Sequence, residues 1–259
     1  MKPAAPADRI SSAAPADQTA FVESEFADAY PPGIERHYWN SARNKIVHRL
    51  LRRAMAGRSG LVLEIGCGTG IVTGYLRERG VECLGCDIGR APPYSEKAAP
   101  FLRLGADAFE LPADTRESVR FLLLLDVLEH IEHPADFLDR CVQRFPNVQA
   151  VLLTVPARQE VWSNYDEYYR HYRRYDHASI REIFPPARFA LSESGYFFHA
   201  LYPPARLLKL LNRPRQTRLL APGFDLPHRM MAWLFSVEQM IVPRRMPGTS
   251  LYGILQRTP

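Results

Sequence analysis

The chain has 259 residues, enough for one large α/β domain with an elaborated cap, and it shows no internal repeat. No apolar run of about 18 residues occurs, which excludes a bilayer-spanning helix, and the Ala/Pro/Ser-rich start lacks the apolar core of a secretory signal, so a cytoplasmic protein is expected. The net charge of +5 is unevenly spread: beyond Leu201 nine Lys/Arg face only Asp225 and Glu238, a basic end suited to an anionic partner or to solvent.

In chain order, residues 1–20 read as a disordered tail and 21–259 as a single domain. Ile34–Ala56 carries Ile46, Val47, Leu50, Leu51 and Ala54 at helical spacing, and 34–57 is expected to form an N-terminal lid helix. LVLEI (61–65) is a short apolar run entering a glycine turn, the pattern of a central parallel strand, and a helix is expected over Thr69–Arg79. VECLGCD (81–87), FLRLGAD (101–107), FLLLLD (121–126) and VQAVLLTVP (148–156) read as further strands, with a helix opened by Pro134 before the last of them. WSNYDEYYRHYRRYD (162–176) reads as a polar, aromatic loop. A short helix (178–184), a strand around Tyr196–Tyr202 and a final strand around Thr249–Gln256 follow, with a proline-rich, basic helical cap inserted over 203–248. The alternation predicts an α/β class, a doubly wound, mostly parallel sheet of Rossmann-like type covered on both faces.

The chemistry is concentrated in E-I-G-C-G-T-G at 64–70. Gly66 and Gly68 let the backbone turn with no Cβ in the way, so a ligand can lie against the main chain. Dinucleotide-binding proteins place G-x-G-x-x-G here, but in this chain Gly70 comes one residue early and Ile71 stands where that fingerprint wants Gly or Ala. Glu64 would be a poor neighbour for a pyrophosphate and a good one for a cationic amino group. Asp87 closes the next strand, where a carboxylate can accept both hydroxyls of a ribose, or can merely cap a helix. Asp107 could accept from an adenine amino group while the amide of Ala108 reaches the ring; the alternative is a turn-forming aspartate. The four cysteines match no zinc pattern, and no metal is expected.

E-I-G-C-G-T-G, Asp87, G-A-D-A (105–108), E-L-P (110–112) and D-V-L-E-H-I (126–131) together resemble the class I S-adenosylmethionine-dependent methyltransferases, in the branch that includes ubiquinone-type and other small-molecule methyltransferases. The resemblance covers about residues 34–202. It implies a seven-stranded sheet and S-adenosyl-L-methionine as cofactor. It also implies Glu64, Gly66, Cys67, Gly68 and Gly70 at the methionine portion, Asp87 and Ile88 at the ribose, Asp107 and Ala108 at the adenine, and Asp126 and Val127 beside the sulfonium. Glu129 and His130 would begin the active-site wall. Two departures are visible: prolines in IGRAPPYSEKAAP where the family keeps a helix, and Arg120 where the fourth strand usually has an acid.

The segment 161–175 also resembles a recurring element of this branch, and loops at this sheet edge shape substrate pockets. Asp166, His171 and His130 are candidate general bases, with Trp162, Tyr165, Arg173 and Arg174 as substrate contacts; Arg173 or Arg174 could hold an anionic group bidentately, or an Arg–Asp and aromatic network could only stiffen the loop. The face Met230, Trp233, Leu234, Val237, Met240, Ile241, flanked by Arg229 and Arg244–Arg245, is expected to pack on the domain or line an apolar pocket, with peripheral membrane contact through 228–245 as the other reading. The expected activity is methyl transfer to a small or lipid-linked molecule. A nicotinamide-binding or non-catalytic protein remains open, as does a nucleic-acid methyltransferase. Against the latter, and against any nucleic-acid partner, Asp126-Val127-Leu128-Glu129 stands where an N/D-P-P-Y/F tetrapeptide would be needed.

Overall fold

The computed structural model describes residues 28–183, 188–217 and 223–258, so the segment read as a tail and part of the cap (218–222) lie outside the described residues. A 3-10 turn (Ile34–Arg36) leads into α1 (Tyr38–Met55), whose Ile46, Val47, Leu50, Leu51 and Ala54 are buried as their spacing requires. Then come β1 (Leu61–Ile65), α2 (Ile71–Arg77), β2 (Cys83–Asp87) and β3 (Leu102–Leu104). α3 (Ala113–Ser118), β4 (Val119–Leu125), α4 (Pro134–Arg144) and β5 (Ala150–Pro156) complete the first half. The second half holds α5 (Asn164–Tyr168), α6 (Ser179–Glu182), β6 (Phe189–Phe197), α7 (Tyr202–Leu210), α8 (Asp225–Ile241) and β7 (Ser250–Arg257).

The strands form one seven-stranded sheet in the order β3-β2-β1-β4-β5-β7-β6, parallel from β3 to β5 and antiparallel where β7 meets its neighbours. Continuous apolar runs suit it because both faces are covered. Leu63, Leu122, Leu124, Val151 and Leu153 point into one core, while Val62, Phe121, Leu123 and Leu152 point into the other with α1. Strand order reverses between β1 and β4, so the turns after these strands open into a crevice at the sheet's carboxyl edge.

Four expectations need correction. The helix after the glycine turn begins at Ile71, not Thr69, because Gly70 at φ +83 is its left-handed N-cap. β6 ends at Phe197 where a strand over Tyr196–Tyr202 was expected; Phe198 at φ +58 turns the chain out of the sheet. The 162–176 segment contains a helical turn, α5, closed by a capping box in which Ser163 N–H donates to Asp166 at 2.9 Å. The fourth concerns α8. It buries Ala232, Phe235, Ser236 and Gln239, whereas Met230, Trp233, Leu234, Met240 and Ile241 are all more than half exposed, so this face does not pack on the domain; Met230, Trp233 and Leu234 line an open apolar groove with Lys45 and Tyr75, as the other half of that expectation had it.

α8 is tied to α1 by Arg49, whose guanidinium donates to Ser236 O at 2.7 Å, Ser236 Oγ at 3.0 Å and Gln239 Oε1 at 3.1 Å. A charged donor serving three acceptors is worth about 1–3 kcal/mol per bond at most, less where water competes. Arg49→Ala is expected to lower the melting temperature by an amount equivalent to about 1–2 kcal/mol while leaving the far-ultraviolet dichroism unchanged; an unaltered melt would show that the cap does not depend on this clamp.

Candidate functional site

A cavity of about 510 Å³ occupies the crevice, walled by the turns after β1, β2 and β4, by α1, by the 161–175 segment and by the cap. Its floor is the glycine turn. Gly66 (φ +76) and Gly68 (φ +54) both lie in the left-handed region, and a Cβ at either would come to 2.6 Å from Val127 Cγ2 or 2.8 Å from Tyr30 Oη. Conformation and space therefore both demand glycine.

Around this floor stand carboxylates with no ion-pair partner among the described residues. Glu64 is 2 % exposed; it accepts from Thr73 Oγ1 at 2.5 Å, yet burial pushes its pKa up to about 7. Asp87 accepts from Gly68 N–H and Gly89 N–H, each at 2.7 Å, and burial raises its pKa against the pull of those donors. Asp107 caps the 3-10 turn Ala108–Glu110 by accepting from Phe109 N–H at 2.9 Å, the turn-forming role, while still lining the cavity. Such a wall attracts a cation and hydroxyl donors and repels phosphate.

The turn after β4 carries the clearest strain. Asp126 holds φ +56, unusual for a non-glycine residue. Three contacts hold it there: its N–H donates to Thr154 O at 2.8 Å, Thr154 Oγ1 donates to its Oδ1 at 3.1 Å, and Arg43 of α1 pairs with its Oδ2 at 2.6 Å. Arg43 is 8 % exposed and its Nε has no partner among the described residues. Beside it Glu129 is buried, its Oε2 likewise without a partner among them, and burial raises its pKa well above the carboxylate range.

The opposite wall is built on Asp166, fully buried and ion-paired with Arg174 through two bonds, 2.7 and 3.0 Å. It also accepts from Ser163 and lies 3.0 Å from His171 Nδ1. Burial alone would raise the Asp166 pKa, but the hydrogen bond to His171 and the charge of Arg174 hold it near 2. As a carboxylate it can only accept, so the hydrogen between the two is carried by His171 Nδ1. His130 meets the His171 ring edge-on at 4.8 Å, and burial lowers its pKa to about 3, which leaves it a poor proton acceptor. Glu129, His130 and His171 place one ligand atom each within 4.8 Å of one another, a spacing a metal ion could bridge and one that the cysteine pattern gives no sign of.

All but four of the sequence-predicted residues line this cavity. Gly70 lies beneath Leu102 as a helix cap, where its Cβ would come 2.5 Å from Leu102 Cδ1. Trp162 stays outside the wall, Arg173 donates to Glu132 O at 2.6 Å on the exposed side, and Asp166 sits behind His171 and Arg174. Among the cavity residues that the sequence did not single out are Tyr30, Arg43 among the many basic positions of its helix, and Arg215 in the proline-rich cap.

Residues 36–258 match the family described as methyltransferase domain. The ubiquinone biosynthesis O-methyltransferase of Stutzerimonas stutzeri (strain A1501) is 30 % identical over 95 residues, which are 34 % of this chain and 40 % of that protein. The protein of the same name from Hahella chejuensis is 30 % identical over 99 residues, 36 % of this chain and 40 % of that one. The match thus spans about two fifths of the curated relatives' length. Among solved structures, the plantazolicin methyltransferase BamL, in complex with a triazolic desmethylPZN analog and SAH, superposes with a TM-score of 0.55 at 15 % identity, over 91 % of each chain. The 1,6-didemethyltoxoflavin-N1-methyltransferase of Burkholderia thailandensis gives 0.52 at 17 % identity, over 91 % of this chain and 86 % of that one. Fold likeness and the family match agree: this chain belongs to the methyltransferase domain family.

Proposed function

We propose that the protein is an S-adenosylmethionine-dependent methyltransferase acting on a small or lipid-linked molecule. The observation that carries this reading is the buried Glu64 and the half-buried Asp87, neither ion-paired among the described residues, around a floor where Gly66 and Gly68 leave no room for a Cβ. The cofactor, when bound, supplies a methyl group on a sulfonium, a good leaving group that needs little chemical help. Glu64 would hold its cationic amino group, Asp87 its ribose hydroxyls, and Arg43, through the Nε that has no partner among the described residues, its carboxylate end. Asp107 and Ala108 would serve the adenine, and Asp126 and Val127 the surroundings of the reacting centre. The relatives named as O-methyltransferases and the B. thailandensis structure, which contains S-adenosylhomocysteine, support the same reading.

The protein's own work is alignment and proton removal. His171, oriented by Asp166, is the base that takes a proton from an acceptor hydroxyl at Nε2; Asp166 is a positioning residue, and His130, half-buried with its pKa lowered to about 3, packs against His171. The cap, with its outward apolar face bordered by exposed Lys209, Arg213, Arg229 and Arg245, suits an anionic lipid surface. No helix among the described residues is long and apolar enough to cross a membrane.

Calorimetric titration is expected to show binding of S-adenosylhomocysteine and none of NAD, with Asp87→Ala weakening the former at least tenfold; binding of NAD alone would end the reading. The pH dependence has a fixed sign. Free Glu64 is largely protonated below pH 7, and a cationic ligand stabilises its carboxylate, so binding releases a proton and tightens as pH rises from 5 to about 7. Glu64→Gln should abolish the proton release, read as the dependence of binding enthalpy on buffer ionisation.

For the base, His171→Ala is expected to lower kcat by about 10²–10⁴ with unchanged cofactor affinity. Asp166→Ala strands the buried Arg174 charge and should cost about 3–5 kcal/mol of stability. EDTA should leave turnover intact; a loss restored by Mg²⁺ would recast His171 as a metal ligand. For the cap, sedimentation with phosphatidylglycerol vesicles should recover the protein, and salt or Trp233→Glu with Leu234→Glu should release it. Concentration-dependent dimerisation abolished by the same pair, without vesicle binding, would instead assign that face to a second copy.

A further inference from the structure

Three arginines line the cavity, and two of them are spoken for. Arg43 is paired with Asp126 and Arg174 with Asp166. Arg215, contributed by the cap, is different. Its guanidinium stands 5.3 Å from the centre of the Tyr165 ring, and among the described residues it has neither a carboxylate within ion-pair distance nor a hydrogen-bond acceptor. Burial and the nearby Arg174 charge both lower its pKa, so the charge is held in place at a cost.

That position is also built. Arg215 N–H donates to Asn164 Oδ1 at 2.8 Å, and Asn164 Nδ2 donates back to Arg215 O at 2.9 Å, a two-bond clamp on the backbone. Two residues on, Tyr169 Oη donates to Thr217 O at 2.9 Å. The 161–175 segment therefore pins this stretch of cap against the cavity, with the Arg215 guanidinium facing Tyr165. A guanidinium held over a ring by cation–π attraction engages no hydrogen-bond acceptor there, which leaves its N–H groups for a planar or tetrahedral oxyanion. The rest of the cavity sorts by charge in the complementary sense: Glu64, Asp87 and Asp107 gather at the glycine floor, and the unmatched cation lies on the cap side.

We propose that Arg215 receives an acidic group of the methyl acceptor, so that the molecule bound here carries a carboxylate or a phosphate remote from the atom that is methylated. Only the word acceptor rests on the methyl-transfer reading; the anion subsite itself does not. The expectation that Arg173 or Arg174 would hold the anion is replaced, because the first leaves the cavity and the second is held by Asp166. The motif segment thus acts on substrate recognition through Asn164 and Tyr169, as positioning residues for Arg215.

The test uses the full chain and three simple probes that share one ring: benzoate, phenyl phosphate and benzyl alcohol, titrated with and without saturating S-adenosylhomocysteine. The wild type should bind at least one acid tenfold or more tighter than the alcohol, benzoate leading for a carboxylate subsite and phenyl phosphate for a phosphate subsite. Arg215→Gln should erase that preference while keeping the affinity for benzyl alcohol and for S-adenosylhomocysteine; Arg215→Lys should keep part of it. Asn164→Ala, which touches no probe, should weaken the acids alone. No preference in the wild type, or an equal preference in Arg215→Gln with an unchanged melting temperature, would overturn the proposal. A protein that prefers the acids but does not bind S-adenosylhomocysteine would refute methyl transfer and leave the anion subsite standing.

Discussion

The site depends on carboxylates, one buried and one half-buried, that have no cation paired to them among the described residues. An isolated buried carboxylate is costly enough that a protein ordinarily pairs it, as this chain does with Asp166 and Arg174. At the glycine floor it does not: Glu64 leans on one hydroxyl and Asp87 on two backbone amides. The parallel sheet makes the arrangement feasible, since β1 and β2 end side by side, Ile65 opposite Cys86, and deliver their terminal acids to one crevice. The destabilisation is local, and the two cores on either face of the sheet carry it.

Much of this was legible in the chain itself, for reasons that differ by element. β1, β4 and β5 are readable because double coverage demands unbroken apolar runs, which also fix their ends to within two residues. Gly66 and Gly68 are readable because their conformation and their neighbours admit nothing larger. Gly70 shares the spelling but not the role, since a left-handed helix cap and a ligand floor both select glycine. β6 was misplaced because its outer positions, such as Ser192 and Glu193, are polar and the clearer apolar pattern lies at its end.

The cap and the lid were the least readable parts. α8 has the composition of a core helix, and only the three-dimensional arrangement reveals that Ser236 and Gln239 face inward while Trp233 and Ile241 face water. Arg43 and Arg215 belong to segments rich in arginine, where sequence cannot say which guanidinium turns toward the cavity. Asp166 and His171 were visible as chemistry-bearing residues, but only their contacts show that the carboxylate is taken up by Ser163, Arg174 and His171 while the His171 ring lines the cavity.

One consequence follows from α1 carrying two attachments. Arg49 fastens it to α8, and six residues earlier, about 9 Å along the axis, Arg43 fastens it to the strained turn at Asp126. A helix is stiff over that length, so the outer cap and the β4 turn are joined by a lever. Through it the exposed apolar side of α8 and the strained backbone at Asp126 share one rigid element, so a displacement at either end bears on the same helix.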